Sequence, residues 1–174
     1  MIAQSLKLFS RELDLFGSQI LNSELLDLFN RIPITRDDLE PWTVFDPKGY
    51  TRTIIRRTFE HELICCGWLP GQFSPIHDHV RSRSFVNVIA GEATEYLFDD
   101  IQGFAKLNLV RTLTRGTVQG EVGSIHRFGN APLNQDKLVT LHVYVPPIAV
   151  DLSNPNVYAG GKVYEELPAT MPAK

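Results

Sequence analysis

The rhythm of apolar and polar residues changes near residue 45. Before that point the apolar positions are spaced as on a helix. Leu6, Leu8, Phe9, Leu13, Leu15 and Phe16 form one such pattern, which breaks at Gly17. A second helix is expected through Ser23-Glu24-Leu25-Leu26-Asp27-Leu28-Phe29, capped by Asn22 or Ser23 and stopping before Pro33. Thr35-Arg36-Asp37-Asp38 offers a capping hydroxyl and early acidic residues, which predicts a third, short helix. From Gly49 onward the residues alternate and are rich in β-branched types. Strands are expected over 51–57, 62–68, 84–89, 94–98, 107–113 and 139–145. Pro70-Gly71, Ala90-Gly91, Asp99-Asp100, Arg115-Gly116 and Asn134-Gln135-Asp136 punctuate them. Many short strands at this spacing predict a mostly β chain, a barrel or jelly roll, with the helices covering one end or face of a sheet.

The chain reads as one domain: a helical part over 1–45, a β-barrel over 46–150 and a tail over 151–174 that wraps the barrel or frays. With 174 residues it can bury roughly 70% of its unfolded surface. A hydrophobic share of 43%, a charged share of 21% and a net charge of −3 describe an ordinary globule. The densest basic group, Arg52, Arg56 and Arg57, is too small for a nucleic-acid footprint. No apolar run is long enough for a membrane span, and the first residues lack the apolar core of a signal peptide. The two cysteines, Cys65 and Cys66, are strand neighbours facing opposite ways, so they are expected as buried free thiols in the cytoplasm.

Chemistry concentrates in the histidines. The chain has five, and two of them stand in Ser-Pro-Ile-His77-Asp78-His79. On a strand, residues i and i+2 share a face, so both imidazoles can aim at one point while Asp78 turns away. His126, in Gly-Ser-Ile-His126-Arg127, can complete a triad that leaves metal positions open. Thr140, His142 and Tyr144 share one face of a strand, where hydroxyl, imidazole and phenol can form a hydrogen-bonded line. Arg52 offers a planar fork suited to a carboxylate; Arg56, on the same face, is its nearest competitor. His61 is expected to face solvent, and Trp42 and Trp68 to fill the core. Val145-Pro146-Pro147 must close its strand just past the tyrosine, and one of its X-Pro bonds is a candidate for cis.

The spacing Gly71-x5-His77-x-His79-x4-Ser84-x6-Gly91 resembles the first motif of the cupin superfamily. Gly123-x2-His126-x3-Asn130 resembles the second, with Glu121 where a proline is usual. Gly49-Tyr50-Thr51-Arg52, the run from Phe85 to Phe98, Ile125-His126-Arg127 and Leu141-His142-Val143-Tyr144-Val145-Pro146-Pro147 extend the likeness. Over residues 40–148 the chain resembles the type I cysteine dioxygenases, or thiol dioxygenases.

That resemblance implies a cupin jelly-roll β-barrel with N-terminal α-helices packed against it. It implies a mononuclear Fe(II) on His77, His79 and His126, with Arg52 holding the substrate carboxylate and Tyr50 beside it. Tyr144 would hydrogen-bond in the active site, oriented by His142. The partners would be L-cysteine and O2, the product cysteine sulfinate, and the assembly a monomer or small homo-oligomer. Ser84 departs from the pattern. Most cupins have a metal-binding glutamate there, and the animal dioxygenases have a cysteine joined to the tyrosine by a thioether. Serine can do neither, so Tyr144 is expected unmodified and the metal keeps three neutral ligands and its full charge, which suits a thiolate. Arg83 also departs from the animal pattern and is expected to alter the pocket entrance.

Three other functions are compatible with these residues. A dioxygenase of another small thiol, such as 3-mercaptopropionate, shares the chemistry, although that type usually has glutamine in place of Arg52. A zinc-loaded hydrolase or lyase fits three histidines but lacks a general base, since Asp78 faces away. A metal-free cupin that only binds a ligand has no need of imidazoles at ligand spacing.

Overall fold

A computed structural model describes residues 3–79, 82–121, 124–148 and 162–167. Helix α1, Gln4–Phe16, buries Leu6, Phe9 and Leu13, the stripe its sequence spacing implies. It ends at Gly17, where φ is 57° and an added Cβ would stand 2.7 Å from the Glu60 carboxylate. Only glycine fits both conditions. Helix α2, Asn22–Arg31, buries Leu25, Leu28 and Phe29. Its N-cap is Leu21, one residue before the expected cap, and Glu24 reaches back to accept the Leu21 N–H at 2.7 Å. Helix α3, Arg36–Leu39, starts at Thr35 as expected, with Thr35 Oγ1 and the Asp38 carboxylate each accepting the other's N–H.

The strands are β1 (Thr51–Arg57), β2 (Glu62–Trp68), β3 (Arg83–Ala90), β4 (Glu92–Ile101), β5 (Phe104–Thr114), β6 (Val118–Glu121), β7 (Ile125–Gly129) and β8 (Leu138–Val145). They form an antiparallel sheet in the order β1-β2-β8-β3-β6 and a second in the order β5-β4-β7. Among the described residues no strand ladder joins the two sheets, so the jelly roll is open rather than a closed barrel. Strands β6 and β7 escape the apolar pattern. The first is short and contains Gly120, and the second turns His126 inward where an apolar residue would mark a strand.

The larger sheet is covered on both faces, which is why β2 and β8 are buried along their whole length. Leu63, Cys65, Phe85, Leu141 and Val143 pack against α1 and α2. Ile64, Cys66, Trp68, Val86 and Tyr144 face the other way, toward Ala93, Leu113 and Phe128 of the smaller sheet. The two cysteines are free and buried on opposite faces, and burial pushes the Cys65 thiol up to about 11.

Three expectations are corrected around the helices. His61 is buried, 1% exposed, because α1 lies over the β1–β2 hairpin and sets Asp14 Oδ1 3.2 Å from its Nε2. Arg56 does not share the face of Arg52. The register shifts between Ile54 and Arg56, so Arg52 pairs with inward Cys66 while Arg56 pairs with helix-facing Leu63. Arg56 then grips Asp14 at 2.7–2.8 Å. Arg83 turns from the pocket entrance to the α1–α2 connection, donating to the carbonyls of Ser18 and Ile20 at 3.0 and 2.6 Å.

The Val145–Pro146 bond is cis. Residues 162–167 run beside the β structure, with bridges His77–Val163 and Ala105–Glu166. Gly123, Ser153 and the remainder of the tail lie outside the described residues. Among those described, no helix is long and apolar enough to cross a membrane.

Candidate metal centre

His126 sits on β7, and His77 and His79 on an extended segment that crosses it. That segment is not the regular strand expected; it is held by paired bonds, His77 N–H to His126 O at 2.9 Å and His126 N–H to His77 O at 2.8 Å. Gly129 permits the approach, since a Cβ there would stand 2.2 Å from the Gln72 carbonyl oxygen. The i, i+2 logic still holds locally. One donor atom from each of His77, His79 and His126 lies within 4.8 Å of the others, and all three residues are buried.

The donor set fits a metal. His79 Nε2 and His126 Nε2 are 2.9 Å apart. Two ligands at right angles on a cation with metal–nitrogen bonds of about 2.1 Å would be ~3.0 Å apart. Tautomers fit as well. His77 Nδ1 lies 2.9 Å from the Pro75 carbonyl and His126 Nδ1 lies 2.7 Å from Glu95 Oε1, both acceptors only. Each ring therefore carries its proton on Nδ1 and turns the Nε2 lone pair inward. Burial holds His77 well below the usual imidazole value and His79 at about 2, with the neighbouring imidazoles adding to it. His77 and His79 are thus poised as neutral ligands.

The carboxylate that touches this group is Glu95, and it does so through His126. It is 1% exposed and its other oxygen accepts from Arg111 Nε at 2.8 Å. Burial works against its ionisation, but the bonds from His126 and Arg111 prevail and hold it below the usual carboxylate value. Sequence reasoning missed Glu95. The available signal was an acidic residue at an inward position of a strand, with Arg111 opposite on the next one.

Asp78 turns away from the donors, as alternation requires. Its carboxylate accepts the Lys162 N–H and the Tyr164 O–H, both at 2.9 Å.

Beside the three histidines is a small pocket, walled in part by Trp68, Ser84, Val86, Phe128, His142 and Tyr144. Thr140 Oγ1 is 2.8 Å from His142 Nε2, and His142 Nδ1 is 3.0 Å from the Tyr144 hydroxyl, which forms the expected line. Trp68 does more than fill the core: its Nε1–H donates to Thr140 Oγ1 at 2.9 Å and starts that line. Burial, reinforced by Arg52 and His126, holds His142 at about 3, so the ring is neutral. Ser84 stands directly opposite Tyr144 in the β3–β8 register. Tyr50 is buried and stacked on Trp68, ring centroids 4.1 Å apart. Arg52 is half-buried on the inward side of β1, and its charge helps to lower His77, His79 and His142.

Comparison with known proteins converges on one family. The family model "Cysteine dioxygenase type I" matches residues 6–151. Cysteine dioxygenase type 1 of Danio rerio is 28% identical over 144 residues, covering 76% of this chain and 70% of that protein. The Rattus norvegicus protein of the same name is 31% identical over 112 residues, covering 59% of this chain but only 54% of its own length. In fold the chain resembles a Klebsiella pneumoniae protein with a double-stranded β-helix domain, at a TM-score of 0.52 and 19% identity, covering 62% of this chain and 86% of that one. With a family match across most of its length, the chain belongs to the type I cysteine dioxygenase family of cupin proteins.

Proposed function

We propose that the protein is an Fe(II)-dependent dioxygenase that converts L-cysteine and O2 to cysteine sulfinate. The observation that carries this reading is a buried cluster of three imidazoles, with no carboxylate among the donors in the described residues, close to Arg52. His77, His79 and His126 would hold the iron. When bound, it supplies a redox-active cation at which a thiolate and dioxygen can react.

The protein's own groups bind and orient. Arg52 pairs its guanidinium with the substrate carboxylate, and Tyr50, braced on Trp68, lies beside it. The site's fixed positive charge favours the thiolate over the thiol. Tyr144 presents its hydroxyl at the cavity, held by His142, and can give or take a proton there while Thr140 and Trp68 keep the imidazole in register. The reaction balances without a further reductant: the thiol sulfur gives up four electrons, dioxygen accepts four, and both oxygen atoms end on sulfur.

The test is anaerobic loading with Fe(II), followed by oxygen uptake and product identification with L-cysteine and with 3-mercaptopropionate. One sulfinate per O2 and a preference for cysteine are expected. Preference for 3-mercaptopropionate would overturn the substrate, and an active protein containing only zinc would overturn the iron.

A further inference from the structure

We propose that Glu95, anchored by Arg111, is the positioning residue that locks His126 in its Nδ1–H form and makes it a stronger donor than His77. The proposal rests on the metal reading of the three histidines and adds to it a ranking of His126 above His77.

The three imidazoles are not equivalent. His77 donates its Nδ1–H to a neutral acceptor, the Pro75 carbonyl, at 2.9 Å. His126 donates to a carboxylate at 2.7 Å. A charged acceptor makes a shorter and roughly twofold stronger bond than a neutral one, and it pushes electron density through the ring toward the opposite nitrogen. That nitrogen is the Nε2 that lies 2.9 Å from His79 Nε2.

Strand register explains why the carboxylate lies there. His126 pairs with Leu97 across β7 and β4, so Glu95 is its diagonal neighbour on the same inward face. Arg111 stands directly opposite Glu95 on β5 and binds the other carboxylate oxygen. A carboxylate 1% exposed needs such a counter-charge, and with it Glu95 has one orientation available. The anion that most cupins place on the metal, and that Ser84 cannot provide, is here moved one imidazole outward.

A purely structural ion pair tying β4 to β5 and β7 makes different predictions, because its loss would lower stability without touching metal affinity. The experiment compares wild type with Glu95→Gln and Glu95→Ala by anaerobic Fe(II) and Co(II) titration of the apoprotein, with visible absorption of the Co(II) forms. Glutamine keeps an acceptor oxygen but removes the charge. Affinity is expected to fall about 10–100-fold in Glu95→Gln, at least as far in Glu95→Ala, with shifted Co(II) bands in both.

A folded Glu95→Gln protein that binds Co(II) as tightly as wild type, with an unchanged spectrum, overturns the proposal. Should the variants not fold, wild-type apoprotein decides: long-range 1H–15N correlations must show His126 protonated on Nδ1, and an Nε2–H ring refutes the assignment. If wild type itself binds neither metal, it is the three-histidine reading that fails.

Discussion

Asp78 is a sharp test of how the metal segment is held, because its backbone belongs to that segment while its side chain faces the opposite way. The carboxylate accepts two hydrogen bonds from the C-terminal stretch, the Lys162 N–H and the Tyr164 O–H. Backbone bonds extend the seam: Tyr164 N–H to Ile76 O at 2.9 Å and Leu167 N–H to Ala105 O at 2.8 Å. Beneath it Tyr164 packs on Ile76, Phe98 and Ile125. Hydrogen bonds to a charged acceptor contribute about 1.5–3 kcal/mol each, and the exposure of Lys162 places these at the lower end, so Asp78→Ala should cost the docked stretch about 3 kcal/mol. That is a loss of roughly 100-fold in its docking equilibrium. Hydrogen exchange should therefore show the Tyr164 and Leu167 amides deprotected by about that factor, with β2 and β8 amides unchanged. Asp78→Asn, which keeps one acceptor oxygen, should fall between. Unchanged exchange at Tyr164 and Leu167 in a folded Asp78→Ala protein would mean that the backbone ladder alone holds the stretch.

Acid stability provides a second test. His61 is buried neutral, its value lowered chiefly by burial, so the unfolded chain binds a proton there that the folded chain refuses. The sign follows: the stabilisation is present above ~6.5 and is lost as pH falls below it, at up to about 1.4 kcal/mol per pH unit for each such histidine. His61→Gln should make the decline of stability below pH ~6.5 shallower, measured by denaturant midpoints across pH; an unaltered slope would contradict its burial as a neutral ring. Thr140→Val keeps the shape but strands the Trp68 N–H and His142 Nε2, so a loss of about 2–4 kcal/mol is expected in chemical denaturation, with Thr140→Ser close to wild type. Intact mass of the wild-type protein should equal the sum of its residues, since Ser84 cannot link to Tyr144. Ser84→Cys, directly opposite Tyr144, should lose two hydrogens after aerobic turnover with iron, and the further change Tyr144→Phe should abolish that loss.

The parts of this fold legible in the sequence are those where one physical signal acts without competition. Strands β1 and β2 fall at the expected residues because β-branched alternation defines the first and an apolar run after Glu62 the second. Strand β7 was hidden because its inward position carries His126, so the site itself erased the apolar alternation that would have revealed its scaffold. His61 looked exposed because its neighbours, Glu60 and Glu62, are acidic; yet Glu62 is itself buried and bonded to Arg57. Tertiary cover by α1 is invisible to a local pattern. The face of Arg56 was misjudged for a related reason: one extra residue in a bulge inverts every later side chain, and alternation counts cannot register it. Glu95 required knowing that β4 lies between β5 and β7, a fact of topology that no spacing along the chain contains.

Topology also determines what a metal would do for the protein as a whole. Thr140, His142 and Tyr144 belong to the five-stranded sheet, while His126 and Glu95 belong to the three-stranded one. His77 and His79 lie on the β2–β3 connection, which leaves and re-enters the larger sheet but bridges to β7 of the smaller one at His126, and no strand ladder joins the two sheets among the described residues. Three buried imidazoles bring their donor atoms within 4.8 Å of one another, and a cation accepting all three lone pairs would tie them together. Because only the folded chain gathers those donors, bound metal stabilises it by mass action, by about 4 kcal/mol at a free concentration 1,000 times Kd. Such a brace would join the β2–β3 connection to β7 and hold His126 opposite the wall bearing Tyr144. With a metal bound, the geometry of the site and the stability of the fold would be coupled through the same three nitrogens, and the proposed role of Glu95 would reach both through His126.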